Sequence, residues 1–264
     1  MPVALITGGS AGFGFALATA LADRGWDLIL DARGRTGLHS AAETLNSRAL
    51  NSRTSDSRTA DSRNADSRNP EPQIVSVPGD VADPAHRREL AAIAGRTGRL
   101  DLLVNNASEL GPSPLPALPD FPLAELETLY RVNLLAPIGL IQLTLPLLSA
   151  GAGTIVNLSS DAAVEAYPGW GGYGSSKAAL DQLTAVLAVE LAATKPDLRV
   201  YGFDPGDLRT AMHQRAFPGE DISDRPEPSR VVPALLRLID ERPSSGRYRA
   251  GELLAVQSAL SDAS

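Results

Sequence analysis

Residues 3–14 read Val3-Ala4-Leu5-Ile6-Thr7-Gly8-Gly9-Ser10-Ala11-Gly12-Phe13-Gly14. A short β-branched and Leu-rich run passes through a glycine turn into an amphipathic stretch, Phe13 to Arg24, that stops at Gly25. This is the pattern of a buried strand, a tight turn and a helix. Glycines in such a turn let the backbone approach a pyrophosphate and aim the helix N-terminal amides at negative charge. The spacing is Gly8-x-x-x-Gly12-x-Gly14. Gly8-Gly9-Ser10-Ala11-Gly12 also matches G-x-S-x-G, the turn that presents the nucleophile of serine hydrolases. On that alternative Ser10 would attack, with a downstream Asp and His213 or His86 as base. Against it, no strand precedes the turn to supply a second oxyanion donor.

Moving outward, short apolar runs alternate with longer amphipathic ones. Strands are expected at Val3–Ile6, Asp27–Leu30, Gln73–Val77, Leu100–Asn105, Thr154–Leu158, Arg199–Phe203 and Leu253–Val256. Helices are expected at Phe13–Arg24, Gly37–Leu45, Pro84–Ala94, Leu123–Leu148, Tyr173–Ala193 and Ser229–Asp240. Alternation of this kind, with strands apolar on both faces, predicts a doubly wound α/β fold: a parallel sheet of seven strands covered by helices on each side. Ligands of such folds bind at the carboxyl ends of the strands. The loops after the strands therefore hold the chemistry.

Composition bounds what that chemistry is. The chain has 264 residues, is 43% hydrophobic, carries a formal net charge of −7 and contains no cysteine. Cysteine nucleophiles, disulfides and Cys-ligated metals are excluded. The acidic balance argues against sequence-independent binding to nucleic acid or an anionic membrane. The N-terminus shows no basic leader or long apolar segment, and the most apolar stretch, Leu134–Leu148, is short for a bilayer span, so a cytoplasmic protein is expected. His39, His86 and His213 lack metal-ligand spacing, and no metal site is expected. Residues 46–70 are a pentapeptide repeat, (Asn/Asp)-Ser-Arg-x-x five times over. A period of five suits neither helix nor strand, and a flexible surface insertion is expected in a single domain spanning residues 1–264.

Two strand ends carry polar clusters. Thr154–Leu158 runs into Ser159-Ser160, and Tyr173 follows thirteen residues after Ser160, with Lys177 one helical turn beyond it. A phenol is a poor proton carrier at neutral pH, but a nearby ammonium favours its ionised form, and a serine hydroxyl can hydrogen-bond the oxygen whose charge changes. At the end of the second strand the chain reads Leu30-Asp31-Ala32-Arg33-Gly34-Arg35. An acid there would accept from a ribose 2′-hydroxyl, whereas an arginine would pair with a 2′-phosphate.

These motifs together resemble the short-chain dehydrogenase/reductase family, over nearly the whole chain outside the repeat. The T-G-x-x-x-G-x-G loop is Thr7–Gly14, the Asn-Asn-Ala-Gly motif is Asn105-Asn106-Ala107 with Ser108 in place of Gly, Y-x-x-x-K is Tyr173 and Lys177, and P-G is Pro205-Gly206. The resemblance implies a Rossmann fold and an NADP(H)-dependent oxidoreductase, a carbonyl reductase interconverting a carbonyl and a secondary alcohol. It makes Tyr173 the acid/base, Ser160 the holder of the substrate carbonyl, Lys177 the partner of the nicotinamide ribose and Asn133 the fourth catalytic residue, holding a water. Cofactor contacts would come from Gly8, Ser10, Gly12, Phe13 and Gly14, from Asp80 and Val81 at the adenine and Asn106 at its ribose, and from Tyr173, Lys177, Pro205, Gly206 and Thr210 near the nicotinamide. It also places Ala32 where NAD-preferring members carry their acid, so that Arg33 favours NADP. The alternatives are an NAD-dependent alcohol dehydrogenase of the same family and a silent nucleotide-binding regulator.

Ser108 in place of Gly predicts that Glu109 and Leu110 are pushed toward the pocket, with Trp170, Tyr167, Leu110 and Met212 as its walls. His213 falls in the loop after Pro205-Gly206, and a surface position suits it better than substrate contact. The family's C-terminal Asp-Gly-Gly is absent, so a homodimer through the 123–148 and 173–193 helices is expected rather than a tetramer.

Overall fold

The computed structural model describes residues 1–56 and 73–261. Seven strands form one parallel sheet: β1 (Val3–Thr7), β2 (Asp27–Ala32), β3 (Ile74–Pro78), β4 (Leu102–Asn105), β5 (Thr154–Leu158), β6 (Arg199–Asp204) and β7 (Gly246–Arg249). Their order across the sheet is β3-β2-β1-β4-β5-β6-β7, every neighbouring pair parallel. The helices are α1 (Gly12–Asp23), α2 (Arg35–Asp56), α3 (Pro84–Gly95), α4 (Leu123–Tyr130), α5 (Ala136–Ser149), α6 (Gly171–Ala192), α7 (Ala211–Ala216), α8 (Pro228–Glu241) and α9 (Ala250–Ser261).

The period-2 alternation of a strand divides the core in two. Ala4 and Ile6 of β1, Leu102 and Val104 of β4, and Tyr201 and Phe203 of β6 face Leu17 and Leu21 of α1 and Leu235 of α8. Val3, Leu5, Leu103, Ile155 and Val200 face the other way, onto Leu90 of α3, Leu140 and Ile141 of α5 and Leu191 of α6. Both faces of the sheet are thus dry at its centre, which is why the inner strands read as unbroken apolar runs. Each wholly buried Leu or Ile contributes roughly 1.5–3 kcal/mol. The chain reverses its winding between β1 and β4, and the cleft opens there, beyond the carboxyl ends of the strands.

Three expectations are corrected. The last strand is Gly246–Arg249, and Leu253–Val256 lies in α9. A four-residue apolar run does not distinguish strand from helix, and the true edge strand, Gly-Arg-Tyr-Arg, carries almost no apolar signal. The 123–148 helix is not one regular helix: residues Arg131–Leu135 form a π turn between α4 and α5. The whole run is nevertheless 26 residues and, by length and composition, apolar enough to cross a membrane, with 44% of its most apolar window buried inside the protein. The repeat is not a loop from its start: α2 continues to Asp56, because residues 46–56 contain neither Gly nor Pro, and Arg48 pairs with Asp23 of α1 at 2.9 Å. The remainder of the repeat, 57–70, lies outside the described residues.

Candidate active site

The glycine loop is built by close approach. Gly8 has φ +66° and Gly12 φ +56°, conformations that favour glycine, and a Cβ on Gly14 would sit 2.4 Å from the Gly8 carbonyl oxygen. The Asn106 amide nitrogen donates to the carbonyls of Thr7 and Gly8 at 2.9 and 3.1 Å, and the Asn106 and Ala107 N–H groups both donate to Thr7 Oγ1 at 3.0 Å. Asn106 therefore ties the β4 loop to the glycine turn and spends its side chain doing so. Helix α1 follows Ala11, which offers no side-chain cap, has no acidic residue in its first turn, and Ala11, Gly12 and Phe13 line the cleft. Free amides at a helix N-terminus suit an anion. The cradle fits a dinucleotide pyrophosphate.

The cleft consists of two cavities of about 400 and 300 Å³ that share Gly8, Arg33, Ala107, Ser108 and Glu109. The smaller is walled by Ser10, Asp31, Ala32, Asp80 and Val81. Asp31 is 1% exposed, and its carboxylate is held at 2.6 Å by His86 Nε2 of α3 rather than turned to the cavity. Burial raises the Asp31 pKa against the opposing His86 contact, and that same contact raises the His86 pKa. Arg33 is ion-paired with Glu109. No histidine lines the cavity that holds Ser10, so the serine-hydrolase alternative finds no base there.

The larger cavity gathers Ser160, Tyr173, Lys177, Pro205, Gly206 and Thr210. Ser160 ends the β5 loop in extended conformation; its hydroxyl donates to Asp161 Oδ1 at 2.9 Å and accepts from Ala162 N–H at 3.2 Å. The Asp161 charge thus points at Ser160. Tyr173 is 9% exposed, edge-on to Trp170 with ring centroids 5.7 Å apart. Burial pushes its phenol pKa well above the ordinary value; hydrogen bonding from Ser108 and Ser160 works the other way, and the Asp204 and Asp161 charges add to the rise. Lys177, on the same face of α6, donates from Nζ to the Leu158 carbonyl at 2.7 Å and lies 5.6 Å from the Tyr173 ring centroid. Burial pulls its own pKa down to about 8, opposed by Asp181. The net shift of the phenol is upward, against the direction in which a neighbouring ammonium acts. The ammonium places one of its three donors on the Leu158 carbonyl, and desolvation is the largest influence on the phenol.

Asn133 sits in the π turn, 1% exposed. Its Oδ1 accepts from Ser108 Oγ at 3.1 Å and Glu109 N–H at 2.8 Å, and its Nδ2 donates to the Glu109 carbonyl and to Ser176 Oγ, both at 2.9 Å. Every side-chain donor and acceptor of Asn133 is used. A π turn spends backbone regularity to aim such a residue, which is why these turns collect at functional sites. Leu110, Trp170 and Met212 wall the cavity as expected, together with Glu109. Tyr167 does not: its hydroxyl lies between Asp161 and Glu165 on the outer surface, 39% exposed. His213 is the reverse correction. Capping of α7 by Thr210 turns its side chain into the cavity, 9% exposed, with Nε2 buried and without a hydrogen-bond partner.

A family model described as short chain dehydrogenase matches residues 53–221. The chain belongs to the short-chain dehydrogenase/reductase family. The short chain dehydrogenase asqE of Emericella nidulans is 35% identical over 196 residues, 73% of this chain; the match spans 65% of that protein, just under two thirds of its length. Sepiapterin reductase of Rattus norvegicus is 33% identical over 225 residues, 81% of this chain and 77% of that one. A short chain dehydrogenase of Shigella flexneri, solved in complex with NADP, superimposes with a TM-score of 0.80 at 28% identity over 95% of this chain and 97% of that one.

This member of the family holds the Ser160 wall of the cavity with groups that no sequence motif marks. Arg247 of β7 donates to Asp181 Oδ2 at 2.9 Å, to the Ser160 carbonyl at 2.9 Å and to Asp204 Oδ2 at 3.0 Å. Asp181 also accepts from Ser159 Oγ at 2.8 Å. One guanidinium thus joins β5, β6, β7 and α6 beneath Ser160. Misplacing the last strand hid it, since Arg247 then lay in a loop. Below it, Asn105 donates to Asn157 and Asn157 to Thr184, each at 2.8 Å and buried.

Proposed function

We propose that this enzyme is an NADP(H)-dependent carbonyl reductase that interconverts a carbonyl and a secondary alcohol. The observation that carries the reading is the meeting of Ser160, Tyr173 and Lys177 in a cavity that continues into a glycine cradle flanked by Arg33. The Shigella flexneri neighbour solved with NADP and the rat relative named a reductase support it.

The bound cofactor supplies a hydride to the carbonyl carbon. The protein does the rest. Ser160 Oγ leaves Asp161 to hydrogen-bond the carbonyl oxygen, and as negative charge develops on that oxygen the Tyr173 O–H gives up its proton to it, so that the C=O becomes CH–OH. Burial keeps the phenol protonated at neutral pH, so the proton is present at Tyr173 when the charge on the carbonyl oxygen develops and draws it across. Lys177 stabilises the phenolate left behind and binds the ribose next to it. Gly8, Gly12, Phe13 and Gly14 receive the pyrophosphate at the α1 N-terminus, with Asn106 holding the loop. Asp80, Val81 and Ser10 would hold the adenosine, Arg33 the 2′-phosphate, and Pro205, Gly206 and Thr210 the nicotinamide. Asn133 acts through Ser108, Glu109 and Ser176, which it fixes in place.

Replacing Tyr173 with Phe is expected to lower kcat by at least about a thousandfold, the upper range for losing a proton donor, while the NADPH Kd stays within about threefold. Nicotinamide absorbance on a panel of ketones reads the first and fluorescence titration the second. A fully active Tyr173→Phe enzyme refutes the mechanism, and a preference for NADH refutes the assignment of Arg33.

A further inference from the structure

The ion pair between Arg33 and Glu109 stands at the junction of the two cavities, both of which it lines. Its partners are unequally placed. The Arg33 side chain is 63% exposed, whereas Glu109 is 13% exposed. Glu109 is also fixed at its backbone, its N–H donating to Asn133 Oδ1 at 2.8 Å and its carbonyl accepting from Asn133 Nδ2 at 2.9 Å. The carboxylate is therefore the more buried member, on a backbone fixed by Asn133, and the guanidinium the more exposed one.

Arg33 is the only basic side chain among the described residues lining the smaller cavity, which also carries Asp31, Asp80 and Glu109. Asp31 is committed to His86. A 2′-phosphate entering this cavity has one cation to meet, and Glu109 already holds it.

We propose that Glu109 sets the cofactor selectivity of this enzyme by competing with the 2′-phosphate of NADP for Arg33. The inference rests on the reading of Arg33 given above. When the phosphate takes Arg33, a carboxylate largely removed from water loses its counter-ion and lies near a second anion, and both effects oppose binding. NAD makes no such demand, because Arg33 can stay on Glu109. Glu109 thus narrows the advantage of NADP over NAD, and removing its charge widens it without altering the proton-transfer groups.

The test is fluorescence titration of the full chain with NADPH and with NADH, in the absence of substrate, for the wild type, Glu109→Gln, Arg33→Met and the double variant. Glu109→Gln keeps side-chain size and is expected to tighten NADPH about tenfold while NADH changes less than threefold. Arg33→Met is expected to weaken NADPH at least tenfold, and the double variant to lose the gain of Glu109→Gln. If Arg33→Met weakens NADPH but Glu109→Gln leaves it unchanged, or tightens both cofactors equally, the competition is overturned and the Arg33 assignment stands. If Arg33→Met leaves NADPH unchanged, the Arg33 assignment itself falls, and the competition with it.

Discussion

Lys177 shows how a single buried charge trades stability for chemistry. It is 2% exposed, and its pKa is drawn down from the ordinary 10.5 to about 8. Between those values the unfolded chain binds the proton that the folded chain has released, so stability rises with pH across that window. Below about 8 the folded protein carries the full penalty of a desolvated ammonium, roughly 3 kcal/mol at one pKa unit per 1.36 kcal/mol. Part of that is returned by the bond to Leu158, worth roughly 1–3 kcal/mol as a charged donor. Lys177→Met is accordingly expected to raise stability at pH 7 by about 1 kcal/mol, to flatten its rise from pH 8 to 10, and to abolish turnover. Urea unfolding at pH 7, 8 and 10 reads the first two and ketone reduction the third. A destabilised, active variant would contradict all of it.

At the scale of elements, the same substitution has opposite signs in two helices. In α1 a Cβ on Gly14 meets the Gly8 carbonyl at 2.4 Å and Asn106 Nδ2 at 2.5 Å, so the cofactor turn must shift to admit it. In α2 a Cβ on Gly37 meets nothing within 4 Å. Gly14→Ala is expected to cost roughly 1–3 kcal/mol, as overpacking does, and to weaken NADPH binding at least tenfold. Gly37→Ala is expected to stabilise by about 0.5 kcal/mol through helix propensity. Thermal unfolding with and without NADPH separates the two. The elements also mark where reading from sequence stops. Strands β1, β2, β4, β5 and β6 were legible because they are buried on both faces and written as apolar runs, and the edge strand β3 because it keeps the β-branched Ile74, Val75 and Val77; β7, the other edge, carries only Gly-Arg-Tyr-Arg and was not. The π turn at Arg131–Leu135 left no periodicity to read.

At the scale of the molecule, α4, the π turn, α5 and α6 carry exposed apolar side chains: Leu123, Leu135, Leu143, Val186 and Val189, the last 76% exposed. We propose that a second copy of the chain covers them. Light scattering after size exclusion is expected to give a dimer mass, and Val189→Glu to shift it to monomer; a monomeric wild type would refute the proposal. Local chemistry is what the sequence by itself determined: the glycine turn after β1, the Tyr173 and Lys177 pair one helical turn apart, and the alternation that makes a two-sided parallel sheet. These depend on neighbours within a few residues, where spacing dictates geometry. Only the tertiary structure decided which charges face each other. Asp31 is turned to His86, Arg33 to Glu109, Arg247 beneath Ser160 and Lys177 onto Leu158, and burial raises the Tyr173 phenol. Such pairings join residues distant in the chain, and their energies turn on burial, which spacing along the chain does not encode.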